Sequence, residues 1–164
     1  MLNLHDNLQG DMMSTTTSET NNTTVQKQMK KLVELYEFSL TEISHILKIN
    51  TSTLRDGFSD PNVLTEQEQK NIDRFTFHIR LINLMLEQDE NPRRTSRWFF
   101  EKLHDDYTCV PRDIYVQHGF IALRDLLQAE DKTVYLNEHH PEYKELNKFK
   151  PVIAEDGEYS IQSI

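Results

Sequence analysis

Two helix starts stand close together in the stretch SLTEISHILKINTSTLRD, residues 39–56, and they restrict the fold more than any other feature of the chain. Ser39 followed by Glu42 is a capping box, in which the serine hydroxyl accepts from the Glu42 backbone N–H and the carboxylate accepts from the N–H of Ser39. Phe38 and Ile43 hold the two positions of a hydrophobic staple around it. Leu40, Ile43 and Leu47 then fall at i, i+3 and i+7, with Ile46 widening the stripe, so one face of this helix is buried. Asn50 caps a second helix, and Ile49 and Leu54 staple it. With so little chain between them, two such helices must cross at a steep angle.

That geometry, with Glu42, Ile43 and Ser44, then Leu47 to Asn50, then Thr53, Leu54 and Arg55, resembles the helix-turn-helix of bacterial regulators. Ser44 is the small residue where the helices touch. Lys48 takes the turn position that glycine usually holds, at a strain of roughly 1 kcal/mol. The resemblance implies that the second helix enters the DNA major groove. Asn50, Thr51, Ser52, Thr53 and Arg55 are then the DNA-binding residues. Met29, Leu32, Val33 and Tyr36 mark an earlier helix from Val25, which completes a trihelical unit over 25–60.

Beyond the turn at Pro61, Thr65 and Glu68 form another capping box. The helix it opens places Ile72, Phe75, Ile79, Ile82 and Leu86 at alternating spacings of three and four, widened by Leu81, Leu84 and Met85. Such a seam is either a core stripe or a dimer contact; its width favours the core. Asn91-Pro92 opens a helix with Trp98, Phe99, Phe100 and Leu103, in which Trp98 is expected to be a large buried aromatic. Val110-Pro111 starts a turn with Ile114 and Tyr115, closed by Gly119, and a last helix runs from Phe120 to Gln128. The fold class is all-α: a helix-turn-helix unit and a second small helical domain over 62–129. Lys132 to Leu136 and Tyr159 to Ile161 are the candidate short strands. Residues 1–24, with the run STTTSETNNTT, read as disordered, and 130–164 as an extended tail.

Order and pattern over 91–128 carry a second resemblance. A helix with Trp98, an irregular stretch ending at Pro111, Ile114, Gly119 and a helix ending in Leu126 and Leu127 resembles the toxin-binding domain of Xre/MbcA/ParS antitoxins, where it follows a helix-turn-helix unit. The resemblance implies a homodimeric, DNA-binding transcriptional regulator that also sequesters a partner protein, a cognate toxin.

Charge qualifies this. The 164 residues carry a net charge of −9, which argues against indiscriminate binding to double-stranded DNA, although 25–60 is locally neutral. The competing expectation is a protein-protein inhibitor or adaptor, of the kind phages encode, that does not bind DNA and acts through an acidic surface and the tail. Arg93, Arg94 and Arg97, with Tyr135, Tyr143 and Phe149, are the candidate partner-binding residues under either reading, although a solvated pairing of the arginines with Asp89 and Glu90 competes. Cys109, the only cysteine, excludes an internal disulfide and fits a reducing cytoplasm. No apolar run suggests a membrane span, and the opening residues lack the pattern of a signal peptide. His139-His140 does not complete a metal set by spacing, Cys109 is read as packing rather than a nucleophile, and no glycine-rich phosphate loop occurs. No catalytic residue, metal or cofactor is expected, and the chain is not read as an enzyme.

Overall fold

A computed structural model describes residues 24–88, 90–103 and 107–144, and the backbone of 149–153 and 159–163. The expected disorder of 1–24 falls almost wholly outside these residues. The architecture is all-α, with an antiparallel strand pair near the end of the chain. Two compact units meet in sequence at Arg97 and Trp98, not at the turn around Pro61.

In the first unit, α1 is α-helical over 24–30 and widens to a π-helix over Lys31–Leu35. It buries Val25, Met29, Leu32 and Tyr36. Glu37 adopts a left-handed conformation (φ 59°) and turns the chain, so that Phe38 is fully buried. The predicted capping box then starts α2 (Leu40–Leu47): the Glu42 N–H donates to Ser39 Oγ at 3.2 Å and the Ser39 N–H to Glu42 Oε2 at 2.7 Å. Both staple residues, Phe38 and Ile43, are buried. Lys48 ends α2 in the left-handed region (φ 58°, ψ 35°), as expected from its place in the turn. The Ser44 hydroxyl donates to the Ile49 carbonyl at 2.6 Å across that turn.

A lysine at Lys48 therefore carries strain that glycine would not. Relief of about 1–2 kcal/mol, less the extra freedom of glycine in the unfolded chain of about 0.4–1 kcal/mol, leaves Lys48→Gly more stable by up to about 1.6 kcal/mol. A rise in the urea midpoint checks this. A fall would show that the lysine side chain makes a contact outweighing its strain.

Asn50 caps α3 (Thr51–Ser59), which buries Leu54 and Gly57. At Gly57 a β-carbon would lie 2.7 Å from the Leu64 side chain, so only glycine lets the two segments approach this closely. The second capping box, Thr65 with Glu68, opens α4 (Glu66–Met85). Its Ile72, Phe75, Ile79 and Ile82 are fully buried, and Phe75 meets Phe38 edge to face at 5.5 Å. The stripe is therefore the core of this unit. Leu84, expected to widen it, is 48% exposed. The long helix belongs with the first three because its stripe covers theirs. The Thr95 hydroxyl of α5 (Arg93–Phe100) donates to Asn83 Oδ1 at 2.8 Å, a buried bond that fixes the start of α5 against the end of α4.

In the second unit, Trp98 is only half-buried; the fully buried aromatics are Phe99 and Tyr107. Phe99 packs edge to face on Tyr115 at 5.6 Å. Helix α6 (Pro111–Gln128) starts at proline and is broken at Gly119 (φ 87°, ψ 176°), a conformation open essentially to glycine alone. Gly119 closes the first helical stretch as expected, and a second stretch runs on from Phe120 across the kink.

The extended tail is the main correction. Lys132 to Leu136 is no strand but the start of α7 (Lys132–His139), because Asp131 Oδ1 accepts from the N–H groups of Thr133 and Val134 at 2.8 and 3.1 Å. Residues 130–144 pack onto α6 and the 107–110 segment. Leu136 is fully buried, the Tyr107 hydroxyl donates to the Thr133 carbonyl at 3.2 Å, and the Thr108 N–H donates to the Tyr143 carbonyl at 2.9 Å. Further on, β1 (Phe149–Ile153) pairs with β2 (Tyr159–Ser163), with Phe149 opposite Ser163 and Ile153 opposite Tyr159. The strand expected at Tyr159 to Ile161 lies within β2. No helix among the described residues is long and apolar enough to cross a membrane.

Candidate functional site

The turn between α2 and α3 decides what the first unit presents to solvent. With Leu54 and Gly57 buried, the opposite side of α3 carries Ser52 and Arg55, both exposed. Asn50 is exposed too, but its carboxamide oxygen is committed to the cap, accepting from the Ser52 N–H at 3.0 Å and the Ser52 hydroxyl at 2.8 Å. Only its NH₂ group, and the free lone pairs of Ser52, are left to meet another molecule. Thr51 and Thr53 are half-buried. Arg55 is the one full charge among the five predicted residues.

A second feature of the same unit lies between α1 and α4. A groove of about 930 Å³ is lined by Lys31, Lys70, Arg74 and Arg80, with Asp73 as its one acid and Tyr36 and Phe77 among its rings. Lys70 pairs with Glu66 one turn earlier, which pulls the Glu66 carboxyl below its usual range by hydrogen bond and charge. Lys31, Arg74 and Arg80 form no ion pair among the described residues. The apolar stripe of α4 hides this basic side in a hydrophobicity pattern. The signal for it was Lys70 and Arg74 at i, i+4 on the other side, with Arg80 further along.

The arginines of α5 are all exposed. Arg93 pairs with Glu37 at 3.1 Å, while Arg94 and Arg97 have no ion partner among the described residues; the expected partner Asp89 lies outside them. The candidate aromatic anchors Tyr135 and Tyr143 are half-buried and their hydroxyls are bonded within their own unit. The Tyr135 hydroxyl donates to the Ala122 carbonyl at 3.3 Å and the Tyr143 hydroxyl to Gln117 Oε1 at 2.8 Å. Phe149 lies in β1, and its side chain falls outside the described residues. Cys109 is buried, and burial pushes its thiol up to about 11, so it stays protonated and a poor nucleophile at neutral pH.

Histidines distant in sequence meet in the second unit. His139 and His140 diverge, as neighbours do: His139 stacks on Tyr135 at 4.3 Å, and His140 turns inward to within 4.4 Å of the His118 ring. Glu142 Oε1 lies 3.3 Å from His118 Nε2 and 3.5 Å from His140 Nδ1. Burial first, then the neighbouring His118, holds the His140 ring below the usual imidazole range. Glu142 is held below the carboxylate range, first by a backbone hydrogen bond. At neutral pH the cluster therefore has a neutral buried imidazole beside an ionised carboxylate. Spacing alone did not reveal it, since His118 lies on α6 and His140 just after the end of α7, and the packing of α7 onto α6 brings them together. No protein-family model, curated protein or solved structure matches the chain, so the reading of these sites rests on its own residues.

Proposed function

We propose that the chain is a DNA-binding regulator that reads duplex DNA through α3 and also holds a protein partner, as the antitoxin resemblance implies. The observation that carries the reading is the α2–α3 pair. Its turn is closed by a left-handed Lys48 and the Ser44–Ile49 bond, which leaves Arg55 and Ser52 outward at the start of a well-capped helix. Arg55 spans a guanine edge in the major groove, and the α3 N–H groups with Ser52 and the Asn50 amide meet a phosphate. Lys31, Arg74 and Arg80, which line the groove and form no ion pair among the described residues, are cations of this unit available to the DNA backbone. Two such chains would bind adjacent half-sites in the cytoplasm as a homodimer. Since the α4 stripe is used up in the core, the dimer contact falls to exposed apolar residues such as Phe77 and Leu84. Arg94 and Arg97 are the exposed cations left for an acidic partner.

The net charge of −9 favours the competing reading, an adaptor that binds only protein. Selection from a random duplex pool separates the two. The full chain should enrich a short motif whose binding weakens steeply with salt. A pool that stays random after repeated rounds would leave the adaptor as the function.

A further inference from the structure

We propose that His118, His140 and Glu142 bind a divalent transition-metal ion, zinc by preference. The site lies wholly in the second unit and stands or falls independently of DNA reading.

The geometry is that of a ligand set before closure. One donor atom from each residue lies within 4.8 Å of the others. Zinc holds nitrogen at about 2.0–2.1 Å and carboxylate oxygen at about 2.0–2.2 Å, so two ligands of a tetrahedron sit roughly 3.3 Å apart. The two carboxylate-to-imidazole distances, 3.3 and 3.5 Å, already match that edge. The two imidazole nitrogens, within 4.8 Å of each other, would have to close to the same edge.

The second observation is independent of this spacing. His140 is 5% exposed, yet among the described residues Nε2 has no hydrogen-bond partner and Nδ1 has only the Glu142 carboxylate, at 3.5 Å, too long and poorly aligned to satisfy it. A buried polar group left in that state is costly, and apolar packing does not repair it. A cation between Nδ1 and the Glu142 carboxylate satisfies Nδ1 and fixes the ring with the proton on Nε2. Two imidazoles and one carboxylate suit zinc and its neighbours, whereas magnesium and calcium need more oxygen ligands than the cluster offers. Three protein ligands also leave a fourth position, and the Tyr143 hydroxyl lies 3.3 Å from His118 Nε2 at the edge of the cluster.

The consequence is a clip. His118 belongs to α6 just before its kink, His140 ends α7, and Glu142 sits in the following turn at Pro141–Tyr143. A bound ion would fasten 132–143 to α6, so that the second unit is firm with metal and looser without it.

The test uses the full chain, stripped with chelator and titrated with zinc, and with magnesium as control. Expected are one zinc per chain by elemental analysis after dialysis, a higher melting temperature with zinc and none with magnesium. His118→Gln and Glu142→Gln, both at partly exposed positions, should each weaken zinc binding by more than the roughly 10- to 100-fold typical of losing an outer-shell partner. In the unaltered chain the ring nitrogen resonances of His118 and His140 should move together on titration, a readout that needs no variant to fold. Substoichiometric zinc, affinity unchanged in both variants, or ring resonances that stay still would each overturn the proposal.

Discussion

Stopping the chain after Ala129 is expected to unfold the second unit rather than to trim a tail. The truncation removes Leu136, fully buried, and with it the Thr133 carbonyl that accepts from the Tyr107 hydroxyl and the Tyr143 carbonyl that accepts from the Thr108 N–H. Tyr107 is itself only 1% exposed, so its hydroxyl would lose the Thr133 bond and its ring would lose cover. Leu136→Ala alone should cost about 2–5 kcal/mol, as for a leucine removed from a packed core. Domains are stable by on the order of 0.05–0.15 kcal/mol per residue, so for a unit this small that single change removes much of the margin. Urea unfolding followed by circular dichroism reads the loss. A Leu136→Ala chain that melts with the parent would show that α7 is not part of the fold.

Phe75→Ala should be as damaging in the first unit, at about 3–5 kcal/mol. The ring is fully buried and meets Phe38 edge to face at 72°. Phe38 is the staple residue that sets the entry of the chain into α2, so the cavity opens directly beneath the α2–α3 pair. DNA binding should fall with stability in this variant, and cooling should restore part of both. Phe77→Ala, two residues away and 56% exposed, should change stability by no more than about 0.5 kcal/mol. Equal effects at Phe75 and Phe77 would contradict the assignment of the α4 stripe to the core.

What was legible in the sequence was what is decided locally. The boxes at Ser39 and Thr65, the cap at Asn50 and the proline at Pro111 each act within one helical turn, and each starts a helix where its residues promise one. The α4 seam could be read because its period is that of a helix, but which partner it meets could not, since Phe38 lies far from Phe75 in sequence. Residues 132–136 misled because Thr133, Val134 and Tyr135 favour strands, and only Leu136 of this short helix is fully buried. Asp131 was the cap that signalled otherwise. Of the candidate site residues, Arg55 is exposed on α3. The Tyr135 and Tyr143 hydroxyls turned out to be bonded within their own unit, and the His118–His140–Glu142 cluster depends on a helix docking that no spacing rule encodes.

The central claim is that α3 reads DNA through Arg55. Fluorescence anisotropy on a duplex enriched by the chain, run with the parent and with Arg55→Ala at one salt concentration, tests it most directly. Arg55 is exposed and has no ion partner among the described residues, so the variant should melt with the parent. It should bind the enriched duplex more weakly by about 1–3 kcal/mol, roughly 5- to 150-fold, while binding to a scrambled duplex changes far less. Equal affinity of parent and variant for the enriched duplex would contradict the claim and remove α3 from the interface.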